Sequence, residues 1–230
     1  SINKSILVET ASINHSTFDQ LLKQYVSAKG EVNYAGFVKD QAKLQGYINY
    51  LSKINPNLLT KNEQLAYWIN AYNALTIDQI LRNYPITSIL KIANGKVWDQ
   101  PLPYKFDGKT YSLNQIEKKV LLGGDLFDAR IHFAVNCAAL SCPRLSNKAF
   151  TAENVQSLLT QNTKAALANK EQNKISANSA SISMLFNWYK SDFDKAEGSV
   201  INFINKYSSV KISSNTKIDY LEYNWNLNGK

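Results

Sequence analysis

One short window of this 230-residue chain concentrates its reactive residue types. The window is RIHFAVNCAALSCP, residues 130–143. It contains both cysteines, Cys137 and Cys142, and one of the two histidines, His132. Its first residue and the residue that follows it are two of the three arginines. Thiols, an imidazole and guanidinium groups can supply a nucleophile, a base and an anchor for an anion. This window is therefore the first candidate for a functional site.

The two cysteines allow four interpretations. They can form a disulfide that closes a small loop in an oxidising compartment, or remain two buried thiols. Cys142 can act as a thiolate nucleophile with His132 as its base. The fourth is a metal site, for which the sequence shows no fourth ligand and which we do not expect. A nucleophile at Cys142 requires loop 137–142 to fold back, since a strand would separate His132 from Asn136 by roughly 13 Å.

If both cysteines are reduced, we expect Cys142 to be the more reactive. It follows the small residues 138–141 and precedes Pro143, whose fixed φ sets the direction of the chain. Arg144, two residues further on, would favour the thiolate form.

Two asparagines form a second set of candidates, on a helix that begins with a capping box of Thr60 and Glu63. Asn70 and Asn73 are three residues apart, so they point the same way between apolar neighbours. Buried amides need hydrogen-bond partners. We expect them to hold a neighbouring loop by backbone hydrogen bonds, or else to orient a substrate or the His132 ring.

Four further residues are candidates for positioning or binding. Glu117 lies inside a helix that begins at Ser112 and either orients His132 or pairs with Arg130. Arg130 and Arg144 are candidates to anchor an anionic group. Trp188 lies in the aromatic segment MLFNWYKSDF, which forms either the wall of a pocket or part of the core.

The hydrophobic pattern predicts a mostly helical α+β fold: a single domain with a small antiparallel sheet. The N-terminal lead with the first helix, residues 1–31, and residues 32–230 are expected to form one compact unit. Predicted helices cover about 16–29, 34–52, 60–83, 112–122, 151–169, 181–190 and 197–207. Predicted strands cover 102–106 and 109–111 as a hairpin around Asp107-Gly108, 130–136 as a mostly buried strand, 173–177 and 217–222.

Composition excludes several classes of protein. Hydrophobic residues make up 44% of the chain and aromatic residues 11%, which excludes disorder. No apolar run approaches the roughly 18 residues of a membrane span. The net charge is +8, but the lysines are scattered and arginine is rare, so we expect no specific nucleic-acid partner. The polar lead, residues 1–14, has no signal-peptide pattern and is typical of a processed exported protein or a trimmed chain. We expect no cofactor.

Five segments resemble the domain-of-unknown-function 547 family, in the same order along the chain. They are QLAYWINAYNAL (64–75), SLNQIE (112–117), RIHFAVNCAALSCP (130–143), WYKSDF (188–193) and the tail DYLEYNWNLN (219–228). In the tail, Asn224 stands where many members have Asp. The resemblance covers residues 32 to 230. It implies a single domain, in bacteria often behind a signal peptide or lipoprotein signal, so a periplasmic, secreted or outer-membrane-associated location. It supplies no activity.

A weaker resemblance is to the papain and transglutaminase architecture, in which a strand after the first helix carries a histidine near its start. His132 suits that role. The family's cysteine at the start of the preceding helix is missing here, since that helix carries Glu63, Asn70 and Asn73. Thiol chemistry would therefore have to use Cys142 or Cys137.

These observations predict a thiol-dependent hydrolase or acyl transferase that acts on a peptide or related amide. Cys142 would be the nucleophile and His132 the base, with Asn70 or Glu117 orienting the imidazole. The ligand is expected to be peptide-like or small and anionic. The alternative is a non-catalytic exported binding domain with a Cys137–Cys142 disulfide, in which the same groove holds a ligand or partner. The candidate binding residues are Arg130, Arg144, Asn73, Cys137 and Trp188.

Overall fold

Helices dominate the structure, a computed structural model that describes residues 12–230. Most of the predicted polar lead thus lies outside the described residues. The α-helices are α1 (Ser16–Tyr25), α2 (Tyr34–Phe37), α3 (Gln41–Ser52), α4 (Lys61–Arg82), α5 (Val155–Ala168), α6 (Leu185–Trp188), α7 (Lys190–Glu197) and α8 (Val200–Tyr207). The strands are β1 (Lys105–Phe106), β2 (Lys109–Thr110), β3 (Lys174–Ser176), β4 (Ser179–Ile182) and β5 (Ile218–Tyr220).

Helix α4 is the central element, with 22 residues that are buried on nearly every face. Its predicted capping box is confirmed: Thr60 Oγ1 accepts from the backbone N–H of Glu63, and the Glu63 carboxylate accepts from that of Thr60. Two backbone donors of the first turn are therefore satisfied within the helix itself. Helix α3 and the segment Gln115–Leu121 pack against α4, so the long apolar helix has partners along its length.

The strands form two small sheets. The predicted hairpin is confirmed as β1–β2, and Asp107 and Gly108 both have positive φ, as a type I′ turn requires. The second sheet has the order β3-β4-β5, in which β3 is antiparallel and β5 parallel to β4. Strand β4 takes the first residues of the helix predicted over 181–190, which begins instead at Leu185. The prediction of a mostly helical α+β domain is confirmed.

The strand predicted over 130–136 is wrong. Residues Ala129–Phe133 form a 3-10 turn, in which the Asp128 side chain accepts from the backbone N–H of Arg130. Just after it, the Asn73 side chain accepts from the N–H of Asn136 and donates to the carbonyl of Ala134. These backbone groups therefore need no neighbouring strand. A continuous apolar run does not distinguish a buried strand from a buried turn. The strand that the papain-like resemblance implies for His132 is absent here.

Three predicted helices lie where the sequence placed them but differ in helix type or in length. The segment that begins with the Ser112–Gln115 box is a π-helix, Gln115–Leu121. The helix predicted over 34–52 is interrupted by a 3-10 turn, Val38–Asp40. The one predicted over 197–207 is α8 alone, separated from α7 by Gly198 at φ 87°.

The hydrophobic core has two parts, which meet at the Ala129–Phe133 turn. Ile131 belongs to the part built on α1, α3 and α4, and Phe133 to a cluster of phenylalanines on α6, α7 and α8. His132 lies between them, so it is placed where the two parts of the core join. None of the helices in residues 12–230 is long and apolar enough to cross a membrane.

Candidate functional site

A pocket of about 260 Å³ opens where the two parts of the core meet. Five of the residues singled out from the sequence line it: Glu117, His132, Cys137, Cys142 and Trp188. The pocket thus brings these candidates together, and a role for them in function stays a prediction. The remaining lining includes five aromatic residues, Tyr72, Trp98, Tyr189, Tyr223 and Trp225.

His132 is held by a carboxylate that the sequence did not single out. The ring is 2% exposed, and its Nε2 lies 2.8 Å from Oδ2 of Asp192, in the first turn of α7. It packs against the ring of Tyr189, with centroids 4.3 Å apart. Since a carboxylate accepts, Nε2 donates this bond, and in the neutral imidazole Nδ1 is then an acceptor. Among residues 12–230 no hydrogen bond engages Nδ1.

Glu117 is a buried carboxyl group on the π-helix. Its Oε2 accepts a hydrogen bond of 3.3 Å from the Tyr72 hydroxyl. Burial raises the pKa of Glu117, an effect that the charge of Lys118 and the hydrogen bond from Tyr72 partly oppose. A carboxyl group with a raised pKa keeps its proton above the usual range. A buried carboxyl group and an imidazole thus line the same pocket.

Cys137 and Cys142 form a disulfide, with the sulfur atoms 2.05 Å apart. This is the first of the four interpretations of the cysteines. The bond closes the loop between them, and Cys142 and His132 line the same pocket. In this state neither sulfur is a thiolate, so Cys142 is a nucleophile only after reduction. In the part of the chain that the structure describes, no group of three or more His, Cys, Asp and Glu is arranged to hold a metal.

The C-terminal tail holds this loop in place. The backbone N–H groups of Leu140 and Ser141 donate to the carbonyls of Asn226 and Asn224, at 2.9 and 3.2 Å. In return, the N–H of Asn228 donates to the carbonyl of Ala138. This pairing carries the aromatic side chains of the tail to the pocket.

Three tryptophans and a tyrosine form the aromatic wall. The rings of Trp188 and Tyr223 have centroids 4.8 Å apart, those of Tyr223 and Trp225 4.7 Å, and those of Trp225 and Trp98 5.6 Å. Trp188 is 45% exposed, so a flat apolar surface is open to a ligand. The aromatic-wall interpretation holds for Trp188, whereas Phe193, in the same segment, is fully buried in the core.

The two asparagines of α4 lie outside the pocket and have the structural role predicted for them. The Asn70 amide donates to the carbonyl of Phe150 and accepts from its N–H, at 2.7 and 3.0 Å. Asn73 makes the equivalent pair of bonds with Ala134 and Asn136. Asn70 therefore holds a loop, and the residue that orients the His132 ring is Asp192.

Neither arginine candidate lines the pocket. Arg130 forms an ion pair of 2.6 Å with Asp128, so the predicted pair with Glu117 is not formed. Arg144 donates to the carbonyl of Ala28 and lines a second cavity of about 650 Å³, which shares Cys142 with the pocket. Arg130 also donates to the side chains of Gln156 and Thr160 on α5, so it joins the Ala129–Phe133 turn to that helix.

Sequence reasoning missed Asp192, Trp98, Tyr223 and Trp225. The signal for three of them was present, since Asp192 lies in the segment WYKSDF and the two others in the tail, both of which carry the family resemblance. Trp98 lies in none of those segments, and no pattern distinguished it.

The comparisons with known proteins add one match. No curated protein and no solved structure matches the chain significantly. A family model described as "Protein of unknown function, DUF547" matches residues 56–166, a segment that includes Glu117, His132 and both cysteines, and this match supports the assignment of the chain to that family.

Proposed function

We propose that the pocket hydrolyses a peptide-like or related amide bond, with His132 as general base, Asp192 as its positioning residue and Glu117 as general acid. The observation that carries the proposal is the 2.8 Å bond from His132 Nε2 to Asp192, which leaves Nδ1 as an acceptor in a pocket that also holds a buried carboxyl group. Two titratable groups with opposite roles in one cavity are a common property of catalytic sites.

In this mechanism a water molecule is the nucleophile. It gives its proton to Nδ1 of His132 as its oxygen attacks the carbonyl carbon, and Glu117 gives a proton to the departing amine nitrogen. Asp192 stabilises the imidazolium that forms. No thiol takes part, so the reaction is compatible with the Cys137–Cys142 disulfide. General acid–base catalysis of this kind contributes typically about 10²–10⁴ in rate.

The surroundings of the pocket suggest the class of substrate. The aromatic wall offers a flat apolar surface for a side chain or acyl group. The lysine at the pocket, Lys118, suits a substrate with a carboxylate or another anionic group. The disulfide suits an oxidising compartment, so we place the activity in an exported bacterial protein, periplasmic, secreted or associated with the outer membrane.

The test is turnover on a panel of chromogenic anilides of acylated amino acids and dipeptides, with and without acidic side chains. We expect Asp192→Asn to lose roughly 10²–10⁴ in kcat/KM, because the imidazole loses the partner that fixes its tautomer. The matched control is Asp194→Asn, on the same helix, whose carboxylate only pairs with Lys190. It should stay within about twofold of the wild type. Equal turnover by the two variants contradicts the proposal.

A second candidate is a non-catalytic exported binding domain. It is favoured by the bonded state of both cysteines and by the exposed face of Trp188. Three of the four tryptophans line the pocket, so their fluorescence reports on a bound ligand. If an acyl peptide quenches that fluorescence, is recovered uncleaved and loses affinity in Trp188→Ala, the binding function is the correct one.

A further inference from the structure

We infer that the Cys137–Cys142 disulfide is a thiol–disulfide exchange site, at which an external dithiol attacks Cys137 and Cys142 leaves as a stabilised thiolate into the pocket. The inference goes beyond the proposed hydrolysis, which needs no thiol. It rests on the hydrogen bonds to the two sulfur atoms, on their unequal exposure and on the way in which the loop is held.

The sulfur of Cys142 has two hydrogen-bond donors. The Tyr223 hydroxyl lies 3.3 Å from it, and the backbone N–H of Cys137 donates to it at 3.1 Å. The same hydroxyl lies 3.3 Å from the sulfur of Cys137. A disulfide has no S–H group, so the phenol is the donor to both. Burial raises the pKa of Tyr223, which keeps this donor protonated. Donors of this kind stabilise a thiolate.

The two sulfurs differ in accessibility. Cys142 is 6% exposed, whereas Cys137 is only partly buried. An incoming thiolate therefore reaches Cys137 first. The thiolate that leaves is then the one with two donors, and a better stabilised leaving group leaves faster.

The exchange has two steps. The thiolate of the dithiol forms a bond to the Cys137 sulfur, and the electron pair of the disulfide passes to the Cys142 sulfur. The second thiol of the reductant loses its proton to solvent and attacks the mixed disulfide at the reductant's own sulfur. Cys137 is released as a thiolate. Overall the dithiol is oxidised to a disulfide by two electrons, and the protein disulfide is reduced to two cysteines.

The loop stays in place after reduction because the tail holds it. Backbone hydrogen bonds from Leu140 and Ser141 to the tail do not involve the sulfur atoms. The Asn136 side chain adds further bonds, to the carbonyl of Pro143 and the N–H of Ala138. The two cysteines therefore remain neighbours, and the exchange is reversible.

The experiment treats the oxidised native protein with glutathione, a monothiol that stops at the mixed disulfide, and then with iodoacetamide. Peptide mapping by mass spectrometry should find glutathione on Cys137 and the alkyl group on Cys142. Glutathione mainly on Cys142, or equally on both, overturns the inference. So does the absence of any reaction before denaturation.

A pair of variants tests the role of the phenol. Tyr223→Phe removes the shared donor, and Tyr220→Phe is the matched control, since Tyr220 is exposed on β5. Reduction by dithiothreitol should slow about tenfold in Tyr223→Phe, as expected for the loss of one hydrogen bond to a charged group. The control should match the wild type, and equal rates in both variants overturn the inference.

Single-cysteine variants keep the test decisive if Tyr223→Phe does not fold. In Cys137→Ser, the remaining Cys142 should react with iodoacetamide at a lower pH than an ordinary thiol, whose pKa is about 8.5. In Cys142→Ser, Cys137 has only the Tyr223 hydroxyl as a donor and should need a higher pH to react than Cys142 does. The reverse order overturns the inference. These measurements do not depend on hydrolysis of an amide substrate. A protein without hydrolytic activity can therefore still show the expected thiol chemistry, and failure of one proposal does not imply failure of the other.

Discussion

At the scale of single residues, burial and hydrogen bonding give His132 and Glu117 different roles in the proposed reaction. His132 has one nitrogen bound by Asp192 and the other without a partner among the described residues, while Glu117 is removed from water and keeps its proton more readily. Burial disfavours the charged form of Glu117, because a buried carboxylate loses its hydration. The stability of the fold should therefore depend on pH through this group.

Glu117→Gln should stabilise the protein at high pH. Burial raises the pKa of the folded-state carboxyl group, so its favourable contribution is complete below the unfolded value and is lost as the pH rises through the folded value. Urea unfolding should therefore give similar midpoints for wild type and variant near pH 4 and a higher midpoint for the variant at pH 8. The control, Glu171→Gln, changes an exposed carboxylate and should show no such divergence. A constant difference across pH contradicts the prediction.

Part of this site could be predicted from the residue types in the sequence. Rarity singled out His132 and the cysteines, and the position of Glu117 inside an apolar helix singled it out too. Asp192 was not predictable in this way, since it is one of many acidic residues and meets His132 across 60 positions only in the fold. Arg130 was conspicuous for its rarity, yet its partner is the carboxylate two residues before it.

At the scale of elements, side chains from distant positions decide the backbone conformation near the pocket. The apolar periodicity predicted α4, the hairpin and the overall class correctly, because those elements satisfy their own hydrogen bonds. It failed over residues 130–136, where the Asn73 side chain satisfies the carbonyl of Ala134 and the N–H of Asn136, which would otherwise need a strand. It also failed to distinguish the π-helix from an α-helix, since both present a similar apolar face over two turns.

Asn73→Ala should destabilise the protein by about 2–4 kcal/mol, because it leaves a buried N–H and a buried carbonyl without partners. Gln79→Ala, on the same helix, removes a side chain that makes no hydrogen bond within residues 12–230 and should cost less than about 0.5 kcal/mol. Chemical denaturation of both variants measures the difference. A loss for Asn73→Ala no larger than that of the control would mean that water replaces the amide.

At the scale of the whole molecule, the pocket lies where two parts of the core meet, and the net charge of +8 is spread over scattered lysines. An excess of positive charge attracts any polyanion, but without a concentrated patch the attraction is weak and screened by salt. The charge therefore bears on solubility and non-specific association, not on the chemistry of the pocket.

Binding to DNA should accordingly be weak, and it should be lost as the salt concentration rises. Fluorescence anisotropy with labelled duplexes of different sequence should show similar affinities for all of them at 50 mM salt. Affinity should fall steeply by 200 mM, since each phosphate contact releases counterions. Preference for one sequence at 200 mM salt would contradict this and show that the lysines are arranged for recognition.

The pairing of the C-terminal tail with loop 137–142 has a consequence for proteolysis. Tyr223 and Trp225 lie between the last helix, α8, and Lys230, whose backbone bonds to that of Val32 and Ala35. A cut before Tyr223 leaves all eight α-helices of residues 12–230 in one fragment and separates from them the phenol at the disulfide and two rings of the aromatic wall. Limited proteolysis of the tail should therefore remove the functions of the pocket before it unfolds the helices.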